Sequence, residues 1–390
     1  MYQFISPQKI FHGEGALDNL ELIIEEVQAK KVFLVADPIL EELGIIEKLT
    51  ERFEKANVHA DIFTHVIPEP PLHIGNEVLE AVRKSDPDLV VGIGGGSALD
   101  LAKAAAALAD HEGEIGDYLN LTGHKKPEKK GRPKVLIPTT AGTGAEVTDI
   151  AVFSLEDTKD VISHPNLLAD YAIVDPKLTY TLPPRVTASS GIDAFTHALE
   201  AYTSVNATPL TDALAMDAMR RIIGSIRTAV WDGQDKKARD EMALGSMIAG
   251  MSFYNAGVAG VHALAYPLGG LFKLPHGESN AVLLPYVYDC IWPSCIGKIM
   301  KVAELFGVAA EGKSEREIAL EWIKCLHDLV KDIGLPTKLS DYSIEEKNIG
   351  LLAANGIKQK RLLARSPKEL DIESIKEIYT NAFNGVLAKG

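Results

Sequence analysis

Cysteine is scarce in this chain of 390 residues: Cys290, Cys295 and Cys325 are its only three. An odd number without CxxC spacing excludes both a disulfide framework and a zinc ribbon. Basic residues are also short, 40 Lys and Arg against 54 Asp and Glu, which leaves a net charge of −14. Such a surface repels phosphate backbones and anionic lipid, so nucleic acid and membranes are set aside as partners. No apolar run reaches the roughly 18 residues needed to span a bilayer. The opening MYQFISPQKIFHGEG lacks the basic-then-apolar order of a signal peptide. What is left is the profile of a cytoplasmic enzyme. With 46% hydrophobic and 24% charged residues, the chain has material for sizeable cores, and its length favours two domains.

The first half alternates strand-like and helix-like runs. KVFLVAD (31–37), DIFTHVIPEP (61–70), DLVVGIGGGS (88–97) and KVLIPTTAGTGAEVT (134–148) read as strands with their exit loops. The stretches 74–84 and 98–109 between them read as helices. Strands separated by helices predict parallel βαβ units and a doubly wound sheet. From Pro183 onward helical patterns dominate, and LPPRVTASSG (182–191) reads as the hinge. The expected architecture is an α/β nucleotide-type domain over residues 1–182 and an all-helical domain over 183–390. The one dense basic run, HKKPEKKGRPK (124–134), reads as a solvated loop.

Two glycine loops follow strands. In GIGGGSALD (92–100), Gly94, Gly95 and Gly96 let the backbone approach a pyrophosphate, and the amides of the following helix start can donate to it. Ser97 reads as the helix cap, with Asp100 as its capping-box partner. The spacing is not GxGxxG, and a tight turn without a ligand is the other reading of this loop. PTTAGTGAEVT (138–148) adds the hydroxyls of Thr139, Thr140 and Thr143. Two such loops at strand ends point to a crevice for an extended, phosphate-bearing cofactor. Asp37, at the end of the first clear strand, is placed to accept from a ribose 2′-OH and to repel a 2′-phosphate, favouring NAD over NADP. Its other reading is a helix N-cap with Pro38 at the first helical position.

Asp193 and His197 lie four residues apart in GIDAFTHALEAY, on one face of a predicted helix. His262 and His276 flank a glycine-containing turn in VHALAYPLGGLFKLPHGES. One carboxylate and three imidazoles suit a divalent first-row metal, Fe²⁺ or Zn²⁺; each histidine singly could instead be a satisfied core residue.

GGGSALDLAKA, PTTAGTGAEVT, GIDAFTHALEAY and HALAYPLGG…PHGESNAVLLPYV, in this order, resemble the iron-containing alcohol dehydrogenase family over about residues 5–385. The resemblance implies a dehydroquinate-synthase-like fold with NAD(P) in the cleft between the domains, and a homodimer or larger homo-oligomer. It implies Asp193, His197, His262 and His276 as metal ligands. It also implies that Gly94, Gly95, Gly96, Ser97, Asp100, Thr139, Thr140 and Lys159 contact the cofactor, although a surface position is the commoner one for a lysine. The implied reaction interconverts a primary alcohol and its aldehyde by hydride transfer to the nicotinamide.

Two positions depart from the family pattern. Many members carry HAxAH, where this chain has Tyr266 in place of the second histidine. A tyrosine hydroxyl can relay a proton but is a poor base at neutral pH, and an aromatic packed beside the metal loop is the alternative. In NGIKQKRLLARSPKEL (355–370), Gln359 and Arg361, with Tyr266, are similar to the pattern of 4-hydroxybutyrate dehydrogenases and hydroxyacid–oxoacid transhydrogenases. An arginine there would pair with an anionic substrate tail. Neutral alcohols or diols, a solvated basic face, and a non-redox lyase of the same fold are the competing expectations.

Overall fold

In a computed structural model that describes residues 2–156 and 158–387, the chain divides into two compact units, Ile5–Tyr180 and one that begins at Thr181. The first contains eight strands: β1 (Lys9–His12), β2 (Lys31–Ala36), β3 (His59–Phe63), β4 (Leu89–Gly94), β5 (Lys134–Pro138), β6 (Ile150–Ser154), β7 (Lys159–Ser163) and β8 (Tyr171–Val174). Its helices are α1 (Asn19–Val27), α2 (Ile39–Glu42), α3 (Ile45–Lys55), α4 (Leu72–Ser85) and α5 (Gly96–Leu108). Six strands form one parallel sheet in the order β1-β8-β5-β4-β2-β3, while β6 and β7 pair as an antiparallel hairpin.

Both β4 and β5 are buried at every position, as expected of central parallel strands covered on both faces. The alanine-rich α5 packs flat on them. A Cβ at Gly92 would lie 2.6 Å from the Cβ of Ala102, so glycine on the strand lets this helix approach. After β2 the chain leads outward to β3, and after β4 it leads the opposite way to β5. The carboxyl ends of β2 and β4 are therefore the topological switch point, where open α/β sheets hold their ligands. The basic run before β5 is more ordered than a solvated loop. Lys134 is fully buried and 3.5 Å from Asp170, and Arg132 reaches Asp86 and Asp110 at 2.8 Å each.

The unit beginning at Thr181 holds helices and no strand among its described residues. Its helices are α6 (Pro184–Thr203), α7 (Pro209–Trp231), α8 (Lys236–Ala256), α9 (Gly260–Phe272), α10 (His276–Ile291), α11 (Ile296–Leu305), α12 (Glu315–Asp332), α13 (Ile349–Gly356), α14 (Lys360–Leu363) and α15 (Ile372–Asn384). The prolines expected to make a hinge instead start a helix. Pro184 opens α6, where its missing N–H is no loss and its fixed φ is already helical. Residues expected to be hinge, 184–191, are thus the first two turns of α6.

Candidate metal centre and cofactor loops

Helix α6 is exposed in its first turn and buried without a break from Gly191 to Thr203. Asp193 and His197 are one turn apart on it, and Glu200 follows on the next turn. His262 sits in the first turn of α9 and His276 is the first residue of α10. One ligand atom from each of Asp193, His197, His262 and His276 lies within 4.8 Å of all the others. The Asp193 carboxylate is 3.6 Å from His276 Nε2 and 3.7 Å from His262 Nε2. Two donors about 2 Å from one cation would stand roughly 3.3–3.7 Å apart, so the donor set fits a divalent first-row metal in both chemistry and spacing. Burial pushes the Asp193 carboxyl up, but His197, His276 and His262 together with the Asn280 amide outweigh it and hold it below its ordinary range.

The imidazoles are braced. His197 stacks between Phe253 at 4.3 Å and His262 at 4.7 Å, centroid to centroid. Glu200 places a carboxylate oxygen 2.6 Å from His262 Nδ1 and accepts the Val261 backbone N–H at 2.6 Å. The His262 backbone N–H reaches Glu200 Oε2 at 3.4 Å; both amides are otherwise unpaired donors of the first turn of α9, so Glu200 caps that helix through space. With Nδ1–H donated to Glu200, the lone pair of His262 lies on Nε2, facing Asp193. Arg185 clamps the start of α6 to that of α10 through two bonds to the buried Glu278, at 2.7 and 2.8 Å. Asn280, fully buried, donates from Nδ2 to Asp193 Oδ1 at 2.7 Å. Neither Glu200 nor Asn280 was singled out by sequence reasoning, although both lie inside the motifs that carry the histidines.

Tyr266, one turn beyond His262, holds its ring 6.2 Å from that of His276. Burial raises its hydroxyl above the ordinary tyrosine range, with Arg361 opposing. It packs with Phe253 and Leu363 against Val258, Ala263 and Leu362, an apolar cluster next to the converging imidazoles. Arg361 is exposed. The more enclosed arginine is Arg365, which burial and neighbouring Arg361 push below the ordinary guanidinium range. Its side chain covers Gly257, where a Cβ would lie 2.5 Å from Arg365 Cδ.

In the α/β unit the other site residues gather at the switch point. Thr139 N–H donates to Gly94 O at 2.9 Å. A Cβ at Gly96 would lie 2.8 Å from Thr143 Cγ2, and one at Gly95 would be 3.9 Å from Thr140. Asp37 directly follows β2, and a Cβ at Gly94 would be 2.9 Å from the Asp37 Cβ. The expected capping box is absent. Gly95 is the N-cap of α5, and Ser97 lies inside the helix and accepts the Glu69 N–H at 3.1 Å. Asp100 turns inward instead, 2.8 Å from the buried Lys103 and accepting the Val152 N–H at 3.0 Å. Asp37 is not itself the N-cap of α2, a position Pro38 fills, but its Oδ1 accepts the Ile39 N–H at 3.3 Å. Lys159 is not on the surface. It is buried, and its Nζ pairs with Glu69 Oε1 at 2.6 Å, so Glu69 links it to Ser97.

Comparison with known proteins finds a family for both halves of the chain. Residues 7–176 match the family described as iron-containing alcohol dehydrogenase, and residues 187–383 match the C-terminal part of the Fe-containing alcohol dehydrogenase family. The chain belongs to the iron-containing alcohol dehydrogenase family. It is 51% identical over 377 residues to long-chain-alcohol dehydrogenase 1 of Geobacillus thermodenitrificans, covering 97% of this chain and 95% of that one. Among solved structures, a 1,3-propanediol oxidoreductase superposes with a TM-score of 0.93 at 35% identity, over 98% of this chain and 100% of the other. Sulfoacetaldehyde reductase from Bifidobacterium kashiwanohense, solved with NAD⁺, gives 0.87 at 28% identity over 98% of each chain. No helix among the described residues is long and apolar enough to cross a membrane.

Proposed function

We propose that the protein interconverts primary alcohols and aldehydes, using a divalent metal, iron or zinc, held by Asp193, His197, His262 and His276. We further propose that it uses NAD held by the glycine loops at the ends of β4 and β5. The convergence of one carboxylate and three imidazoles within 4.8 Å carries this reading. When bound, the metal supplies a Lewis acid for the alcohol or carbonyl oxygen, and the nicotinamide supplies the hydride acceptor or donor. The chain's own residues do the rest. Glu200 keeps His262 in the tautomer that presents Nε2. The backbone of Gly94, Gly95 and Gly96, with Thr139, Thr140 and Thr143, offers donors for the pyrophosphate at the start of α5. Ser97, Asp100 and Lys159 shape that loop, and Asp37 accepts from the adenosine ribose. On this reading the α/β domain binds the dinucleotide and the helical domain binds metal and substrate, in a cytoplasmic homodimer or larger homo-oligomer.

The favoured substrate is a neutral primary alcohol or diol, because Phe253, Tyr266 and Leu363 put apolar surface beside the ligands. A second reading, a hydroxy acid such as 4-hydroxybutyrate, draws on Arg365, an enclosed cation with a like charge beside it. Arg361, at the surface, would then be its outer companion, and Tyr266 a relay for the hydroxyl proton.

The test is NADH consumption with butanal and with succinic semialdehyde, using protein stripped by chelator and reloaded anaerobically with Fe²⁺. The expected result is turnover only after reloading, with kcat/KM at least tenfold higher for butanal. The reverse preference, lost in Arg365→Ala, would select the acid-tailed reading. No turnover of either aldehyde after reloading would overturn the proposal.

A further inference from the structure

Asn280 lies on α10 one turn beyond His276 and is fully buried. Its Nδ2 donates to Asp193 Oδ1 at 2.7 Å, and stands 3.1 Å from His262 Nε2 and 3.3 Å from His276 Nε2. One neutral amide therefore touches three of the four converging side chains. Its other end, Oδ1, is buried without a hydrogen-bond partner. A buried acceptor left unmet is a cost that native structures seldom carry without a reason. The reason here is Asp193. Turning the amide over would replace a charge-assisted N–H···O bond with an oxygen facing a carboxylate oxygen.

We propose that Asn280 is a positioning residue of the metal centre, fixing the Asp193 carboxylate so that the four ligand atoms stay converged. The proposal rests on the reading of these four side chains as a metal centre. A neutral donor suits the task in a way the alternatives do not. Lysine in this place would compete with the cation, and a second carboxylate would repel Asp193. An aliphatic residue would leave the aspartate torsion free to swing. Division of labour follows, with Glu200 aligning His262 and Asn280 aligning the carboxylate.

The test uses the full chain and the near-isosteric Asn280→Leu. Metal-stripped wild type and variant are titrated with Co²⁺ against a competing chelator, the visible Co²⁺ spectrum is recorded, and thermal unfolding is followed in excess chelator. The expected result is a 10–100-fold weaker affinity and a changed spectrum, with a midpoint in chelator close to that of wild type. Because Asn280 acts through Asp193, the same substitution in an Asp193→Asn background should weaken affinity little further. Wild-type affinity and spectrum in the variant would overturn the proposal, whatever happens to the midpoint. A loss that persists in full in the Asp193→Asn background would also overturn it. If wild type itself binds no Co²⁺, the metal-centre reading fails, and this proposal with it. Should Asn280→Leu not fold, Asn280→Ser takes its place, since its short hydroxyl loses the same bond.

Discussion

Glu200 holds His262 from two directions: its carboxylate lies 2.6 Å from the ring Nδ1 and 2.6 Å from the backbone nitrogen of Val261, in the first turn of the same helix. Ring orientation and helix position are thereby coupled through one buried anion. Glu200→Gln keeps the size and one acceptor oxygen but gives up the charge. The expected outcome is a 10–100-fold loss of metal affinity with the helical content retained, checked by chelator competition and far-UV circular dichroism. Unchanged affinity would show that the charge on Glu200 is not what holds His262 in place.

How much of this was legible in the sequence depends on the kind of signal. Long helices such as α7 and α12 announce themselves by period and cap, Thr208 and Ser314 standing at their N-caps. Strands β1 and β8 escaped because each has only four residues, too few to show alternation; β8 becomes a strand by pairing with β1 and β5, and β1 by pairing with β8. The hairpin β6–β7 escaped for a different reason. Its role is to bring Val152 to Asp100 and Lys159 to Glu69, contacts between positions far apart in the chain. The histidines stood out because glycine flanks them, whereas Glu200 and Asn280 read as ordinary helix residues. Only the folded chain shows that their faces point inward.

Gly277 is where α10 meets α6. A Cβ there would lie 2.1 Å from the backbone oxygen of Ser189, one turn before Asp193. Backbone cannot rotate away as a side chain tip can. Gly277→Ala should therefore cost about 2 kcal/mol or more and weaken metal binding by moving His276 away from Asp193. Gly297→Ala is the control, since nothing lies within 4 Å of its Cβ position in α11. It should stabilise by about 0.5–1 kcal/mol. Urea unfolding of both variants checks the contrast, and equal midpoints would contradict it.

Glu146, in the second glycine loop, is buried and its Oε2 has no partner. Burial raises its carboxyl from an ordinary 4.5 to about 7. The folded protein therefore binds this proton more tightly than the unfolded chain. Stability linked to it is fully present below about 4.5 and is lost as pH rises through about 7. At pH 8 the loss amounts to about 3 kcal/mol at most. Glu146→Gln, neutral throughout, should gain on wild type as pH rises from 4.5 to 8, with denaturation midpoints across that range as the readout. A constant difference would mean that the carboxyl titrates normally.

If the dinucleotide binds as proposed, Asp37 carries the choice between NAD and NADP. It follows β2 beside Gly94, at the point where the sheet connections diverge, and its side chain accepts the Ile39 N–H at 3.3 Å. A carboxylate accepts well from a ribose 2′-OH, whereas beside a 2′-phosphate it meets like charge. Serine at this position can still accept the Ile39 N–H, as N-cap chemistry allows, so the local fold should survive Asp37→Ser within about 0.5 kcal/mol. The ratio of kcat/KM for NADH over NADPH, measured with one aldehyde, should fall at least tenfold, about 1.4 kcal/mol of discrimination. The loss should come mainly from improved use of NADPH, because removing a repulsion helps the phosphorylated cofactor more than losing one acceptor harms the other. A ratio that does not move would place the ribose elsewhere and leave Asp37 as the acceptor of the Ile39 N–H alone.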